Sequence, residues 1–166
     1  DMSGVDLSGV NLSSTDFSKV RSLEGAILRD VEGHGLKFQH TDHEPPSLVG
    51  ADLSGAYLRQ ASMSKLDMRG ATLVDADLTL ASLKFSDGRD ADFSGAIFDN
   101  ADLMYGDFRG ANFSGATMGT GYVKVSSADF AGANFSGAKL NIGHSSAVWT
   151  EVICDSDTWV RSGFEC

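Results

Sequence analysis

Three of the chain's four histidines, His34, His40 and His43, fall within ten residues of one another, beside Asp42 and Glu44. Neutral imidazole with carboxylate suits zinc or another divalent ion, so His34, His40, Asp42 and His43 form a candidate metal-binding set. Their spacing matches no established ligand motif, and an exposed loop that is merely rich in histidine is the competing explanation. Sulfur supplies a second chemistry. Cys154 and Cys166, the only cysteines, stand twelve residues apart at the C-terminal end. A disulfide closing so short a loop is worth about 3 kcal/mol on the chain-entropy argument, and would place the protein in an oxidising compartment such as the periplasm, a thylakoid lumen or the exterior. Two unpaired thiols in a cytoplasmic protein are the alternative. Catalysis finds no comparable constellation. Serine is abundant, but no nucleophile elbow lies between a strand and a helix, no cysteine pairs with a histidine, and no glycine-rich phosphate loop occurs. The chain therefore reads as a non-enzyme that needs no cofactor.

These residues hang on a frame with a period of five. From Leu48 to Val123 sixteen successive fifth positions are apolar centres, with Gly88 the one break, and the residue two before is small at all but Pro46 and Leu66, as Ala51, Ala71, Ala91 and Ala111 are. No α-helix or flat strand has that period, whereas a solenoid that turns a corner every five residues requires it. The unit is best seen in Ala51-Asp52-Leu53-Ser54-Gly55 and Ala111-Asn112-Phe113-Ser114-Gly115. Its large centre fills an interior, its small residue also points inward where walls meet, and Ser and Gly suit a tight corner.

Over nearly its whole length this pattern resembles the pentapeptide-repeat family. The resemblance implies an all-β fold, a right-handed quadrilateral parallel β-helix in which four repeats make one square coil. Residues twenty apart then stack, and Leu53, Leu73, Phe93 and Phe113 are expected to pile in one line. About seven coils follow, a rod roughly 34 Å long at one strand spacing per coil. The predicted body is 1–146, with a one-residue insertion near Arg21, a loop interruption near 39–47 where Pro45 and Pro46 force an extended excursion, and two residues inserted between Lys124 and Ser127. A C-terminal cap is expected over 147–166, built from Trp149, Trp159, Phe164 and the disulfide. No cap is legible at the other end, where Met2 already fits the repeat; removal of preceding residues or a dimer contact there would account for it.

Rows of twenty turn outward positions into columns. One reads Asp67 and Arg69, Asp87 and Arg89, Asp107 and Arg109, a mixed-charge ladder that reads as a solvated structural face. Another reads Lys65, then Lys84 and Phe85, then Met104 and Tyr105, then Tyr122, Lys124 and Val125. Apolar groups in successive rows mark a partner or dimer surface, with Phe85, Met104, Tyr105 and Tyr122 as the contact residues, unless a loop or the tail covers them.

Asp plus Glu number 23 against 13 Lys plus Arg, a formal charge of -10, which disfavours direct contact with nucleic acid or anionic membrane. No run of about 18 apolar residues can span a bilayer. Asp1 opens the chain without a basic and apolar leader, which fits a leader or a neighbouring domain having been removed. The reading that follows is a non-enzymatic structural or protein-binding module, outside the cytoplasm, for a protein partner or for self-association. The resemblance also implies an alternative: quinolone-resistance members are acidic and bind DNA gyrase by imitating duplex DNA. B-DNA carries a charge every 1.7 Å or so, whereas this chain spreads its own at about half that density. Those members also dimerise through a C-terminal helix that the tail does not show. A divalent-metal-binding module is the third class.

Overall fold

The structure is a computed structural model and describes residues 1–38, 45–119, 121–142 and 146–160. The chain winds as a right-handed quadrilateral β-helix in which parallel bridges join each coil to the next. One column of bridged residues runs Asp6, Ile27, Asp52, Thr72, Asp92, Asn112, Asn134 and Ile153. Most sides contribute a single bridged residue. Lys139–Leu140 and Trp159–Val160, here β1 and β2, are long enough to form a paired parallel strand, Lys139 against Trp159. No helix among the described residues is long and apolar enough to cross a membrane.

Each five-residue unit completes its own corner. The Asp or Asn before the centre accepts the N–H two residues on: Asp52 from Ser54 at 3.0 Å, Asp92 from Ser94 at 2.9 Å, Asn112 from Ser114 at 3.1 Å. This local bond explains why Asp and Asn recur there without catalytic meaning. The fifth residue takes a left-handed conformation, with φ of 67° at Gly55 and 66° at Gly115, which glycine adopts without penalty. Between coils the ladder runs both ways: the Leu53 N–H donates to Thr72 O at 2.7 Å, and the Asp52 N–H to Ala26 O at 2.9 Å.

Leu53, Leu73, Phe93 and Phe113 are fully buried. Phe93 stacks on Phe113 with centroids 5.0 Å apart, and Phe113 on Phe135 at 4.9 Å. A second column runs through Phe108, Phe130 and Trp149, at 5.5 and 4.6 Å. Gly88 belongs to this column and does not break the coil, since its N–H donates to Asp107 O at 2.8 Å. Phe108 fills the space a larger centre would take: a Cβ on Gly88 would lie 2.7 Å from Phe108 Cδ1.

Register departs from twenty where insertions are expected, with one correction, and shortens to nineteen where Asp129 pairs with Val148 and Asn134 with Ile153. Asp6 pairs with Ile27 and Ile27 with Asp52, so one extra residue enters the first coil and five enter the second. The later two-residue insertion, expected between Lys124 and Ser127, lies earlier, between Met118 and Val123. Asp102 bridges Lys124 and the Leu103 N–H donates to Lys124 O at 2.8 Å, so Val125 takes the centre and Val123 the small position. Both valines are buried, and Val125 is no part of an outward surface. At the C-terminal end the winding goes on past Asn134, through bridges to Val148 and Ile153. Trp149 and Cys154 are half-buried against the last core layer. Phe164 and Cys166 lie outside the described residues, so the expected cap is seen only as far as β2.

Candidate functional site

Position five of the unit is a corner held at positive φ; glycine occupies about half of these corners, and small or polar residues most of the rest. One column of corners carries two aromatic residues: Lys65, Phe85, Tyr105 and Ser127 have φ of 60°, 58°, 61° and 58°. Left-handed backbone costs an L-residue roughly 1–2 kcal/mol. Phe85 and Tyr105 stack face to face, centroids 4.9 Å apart and planes 5° from parallel. Such a pair recovers about 0.5–1.5 kcal/mol, similar to the strain. Even so, the rings stay 54% and 50% exposed. At the preceding corner of the same coil Leu80 repeats the choice, with φ of 61° and an exposed side chain.

The two sides that meet at this corner differ in charge. On the side leading into it Lys84 Nζ lies 3.2 Å from Asp102 Oδ2, and Lys124 Nζ lies 3.7 Å from the same oxygen. Two ammonium groups thus share one carboxylate. Met104 stands half-buried beside them, its N–H donating to Asp102 Oδ1 at 3.2 Å. On the side leaving the corner, the ladder expected from sequence is closed. Arg69 donates to both oxygens of Asp67 at 2.8 Å, Arg89 to Asp87 at 2.9 and 2.7 Å, and Arg109 to Asp107 at 2.8 and 2.6 Å. Each guanidinium also reaches the Asp of the next coil, Asp87, Asp107 or Asp129, at 3.6–3.8 Å. The hydrogen bonds from their own arginines hold the carboxyls of Asp67, Asp87 and Asp107 below the usual carboxylate range, and the same bonds raise the arginines. On a third side amides take the place of guanidinium: the Asn112 amide donates to Asp92 at 3.1 Å and the Asn134 amide to Asn112 at 3.3 Å.

Of the expected contact residues, Phe85, Met104 and Tyr105 come together. Tyr122 does not join their column. Because the insertion precedes Val123, the rung beyond Tyr105 is Ser127, and the Tyr105 N–H donates to Ser126 O at 3.1 Å. Tyr122 is exposed within the inserted residues. Leu80 was not among the expected residues, although a signal existed: a bulky apolar residue at position five, where glycine or a small or polar residue usually stands. His34 sits exposed at a turn, its carbonyl accepting the Ser14 N–H at 2.8 Å. His40, Asp42 and His43 lie outside the described residues. Among the described residues no three His, Cys, Asp or Glu are grouped to hold a metal. Likewise Cys154 is placed but Cys166 is not.

A family model described as pentapeptide repeats matches eight copies over residues 1–31, 47–84 and 89–119, more than half of the chain. No curated protein matches it in sequence. Among solved structures, a trypsin-treated form of QnrB1, a plasmid-mediated fluoroquinolone resistance protein, superposes with a TM-score of 0.52 at 15% identity, covering 92% of this chain and 88% of that one. Full-length QnrB1 gives 0.50 at 19% identity, covering 92% of each. Rfr23, a pentapeptide repeat protein from the cyanobacterium Cyanothece 51142, is 24% identical over 95% of this chain and 89% of its own, with a TM-score of 0.40. At these identities the likeness is one of fold.

Proposed function

The chain belongs to the pentapeptide repeat family, and on that premise we propose that it is a non-enzymatic protein-binding module whose contact surface is the Phe85–Tyr105 corner. One observation carries the reading: two large rings, stacked on each other at successive corners of one column, stay half-exposed. Contiguous exposed apolar groups are expected at interfaces. Replacing Phe85→Ser together with Tyr105→Ser, residues that the same backbone accommodates at Ser14 and Ser127, is expected to abolish partner capture and leave the circular dichroism unchanged. Undiminished capture by the double variant would refute the assignment.

The alternative, an acidic imitation of duplex DNA that binds gyrase, asks for rows of uncompensated carboxylate. Interleaved guanidinium on the Asp67–Asp129 side supports the module reading over it. Inhibition of gyrase supercoiling by micromolar protein would reverse that preference. We place the protein outside the cytoplasm, with Cys154 and Cys166 joined. Alkylation and mass spectrometry of protein from its native compartment test this, and two reduced thiols would count against it.

A further inference from the structure

We propose that the occupant of the Phe85–Tyr105 corner is an acidic peptide segment carrying an aromatic side chain. The inference rests on the contact-surface reading above and adds the chemistry of the partner. The first argument is charge. From the Lys65 coil to Asp129, the corner and its two flanking sides hold six of the chain's 13 basic residues and five of its 23 acidic ones, +1 against -11 for the remainder. The ladder side is saturated, each arginine already bidentate to an aspartate. Uncommitted positive charge lies on the other side: Lys84 and Lys124 share Asp102, and no ion pair reaches Lys65 among the described residues. A carboxylate arriving there completes a pairing, whereas a basic segment meets like charge beside the rings.

A second copy of this chain is the poorer occupant. A two-fold contact brings the same patch against itself, so lysine would face lysine, and each copy carries a charge of -10.

Ring geometry supplies the second argument. Phe85 and Tyr105 are nearly parallel at about one coil spacing, so the stack runs along the rod, and the next rung is Ser127, whose Oγ sits 3.2 Å from Ser146 Oγ. A small hydroxyl borders the outer face of Tyr105 where a third ring would continue the stack. Aromatic rings prefer such offset-stacked partners. An aromatic side chain from the partner extends the ladder, while its acidic neighbours reach the lysine side.

The test uses the full chain and three fluorescein-labelled nonapeptides followed by anisotropy: acidic with a central Trp, the same with Ala for Trp, and basic with a central Trp. The acidic Trp peptide is expected to bind best. Losing one ring contact weakens binding about two- to tenfold, so Trp→Ala in the peptide and Tyr105→Ser in the protein should each do this, and Tyr105→Phe should restore it. Lys84→Glu with Lys124→Glu is expected to cost about fivefold or more. Raising salt from about 0.01 to 0.15 M, which shortens the screening length from about 30 to 8 Å, should weaken the acidic peptide alone. A basic Trp peptide that binds better, with dependence on Tyr105, would overturn the acidic class and leave the contact surface standing. Binding of every peptide that ignores Tyr105→Ser, or no binding at millimolar peptide, would overturn both. A dimer that dissociates on Tyr105→Ser would make a second copy the occupant instead.

Discussion

Replacing Gly88→Ala tests whether the core is filled coil by coil or across coils. By the repeat alone a larger residue should improve this position, because every neighbouring centre is bulky. The structure implies the opposite. A Cβ on Gly88 would stand 2.7 Å from Phe108 Cδ1 and 2.9 Å from Cε1, against a favourable carbon separation of about 3.5–4.0 Å. Phe108 has little freedom to retreat, since it stacks on Phe130 at 5.5 Å and meets Phe93 and Phe113 edge-on at 6.0 Å each. On its own coil it also packs against Gly106. Overpacking costs about 1–3 kcal/mol. The backbone at Gly88 is not left-handed, so the loss of unfolded-chain entropy returns about 0.4–1 kcal/mol. A net destabilisation of about 1–2 kcal/mol remains, a fall in melting temperature of about 2–8 °C for a chain this size. Thermal unfolding followed by circular dichroism measures it. The decisive comparison is Gly88→Ala in a Phe108→Leu background, where the smaller side chain leaves room for the methyl. The double variant should be more stable than the two single effects summed, by about 1 kcal/mol or more. Additive effects, or a Gly88→Ala protein as stable as its parent, would show that Phe108 does not occupy the Gly88 space.

The Asp–Arg ladder predicts acid sensitivity. The carboxyl of Asp87 lies below its ordinary range in the fold, chiefly through the Arg89 hydrogen bond, so its stabilising effect is complete above the unfolded value of about 3.9 and is lost as pH falls through the folded one. Arg89→Gln should therefore melt below the parent at neutral pH and converge on it as pH falls below about 3.9; a gap that stays constant would argue against the linkage. Because Asp87 and Arg89 are 31% and 38% exposed, high salt should narrow the gap as well. At the C-terminal end, Trp149 covers Phe130 at 4.6 Å and Phe135 at 5.6 Å. Trp149→Ala should cost about 2 kcal/mol, below the range for a fully buried aromatic because this one is only half-buried. It should also increase end-to-end association, read by light scattering, and unchanged stability would mean that the last core layer is covered by something else.

The proposed contact surface divides between what could be read from residues and what could not. Phe85, Met104 and Tyr105 were visible as a column because they lie in an uninterrupted run of twenty-residue coils. Tyr122 was misplaced because valine suits both inward positions of the unit, so Val123 fits one frame as its centre and the other as its small residue. Only the bridge from Asp102 to Lys124 decides between them. Nor could the chain show that Lys84 and Lys124 share the carboxylate of Asp102, since the inserted residues alter the spacing that joins them.

By itself the sequence determined the five-residue corner, the inward pairing of a small with a large residue, and the local bond from Asp or Asn to the following turn. Each is complete within one unit and independent of what lies above or below. Tertiary structure alone decided where the register shifts, how Phe108 compensates Gly88, and which charges remain unsatisfied. These depend on contacts between coils, and a few inserted residues change which side chains face one another without disturbing any local unit.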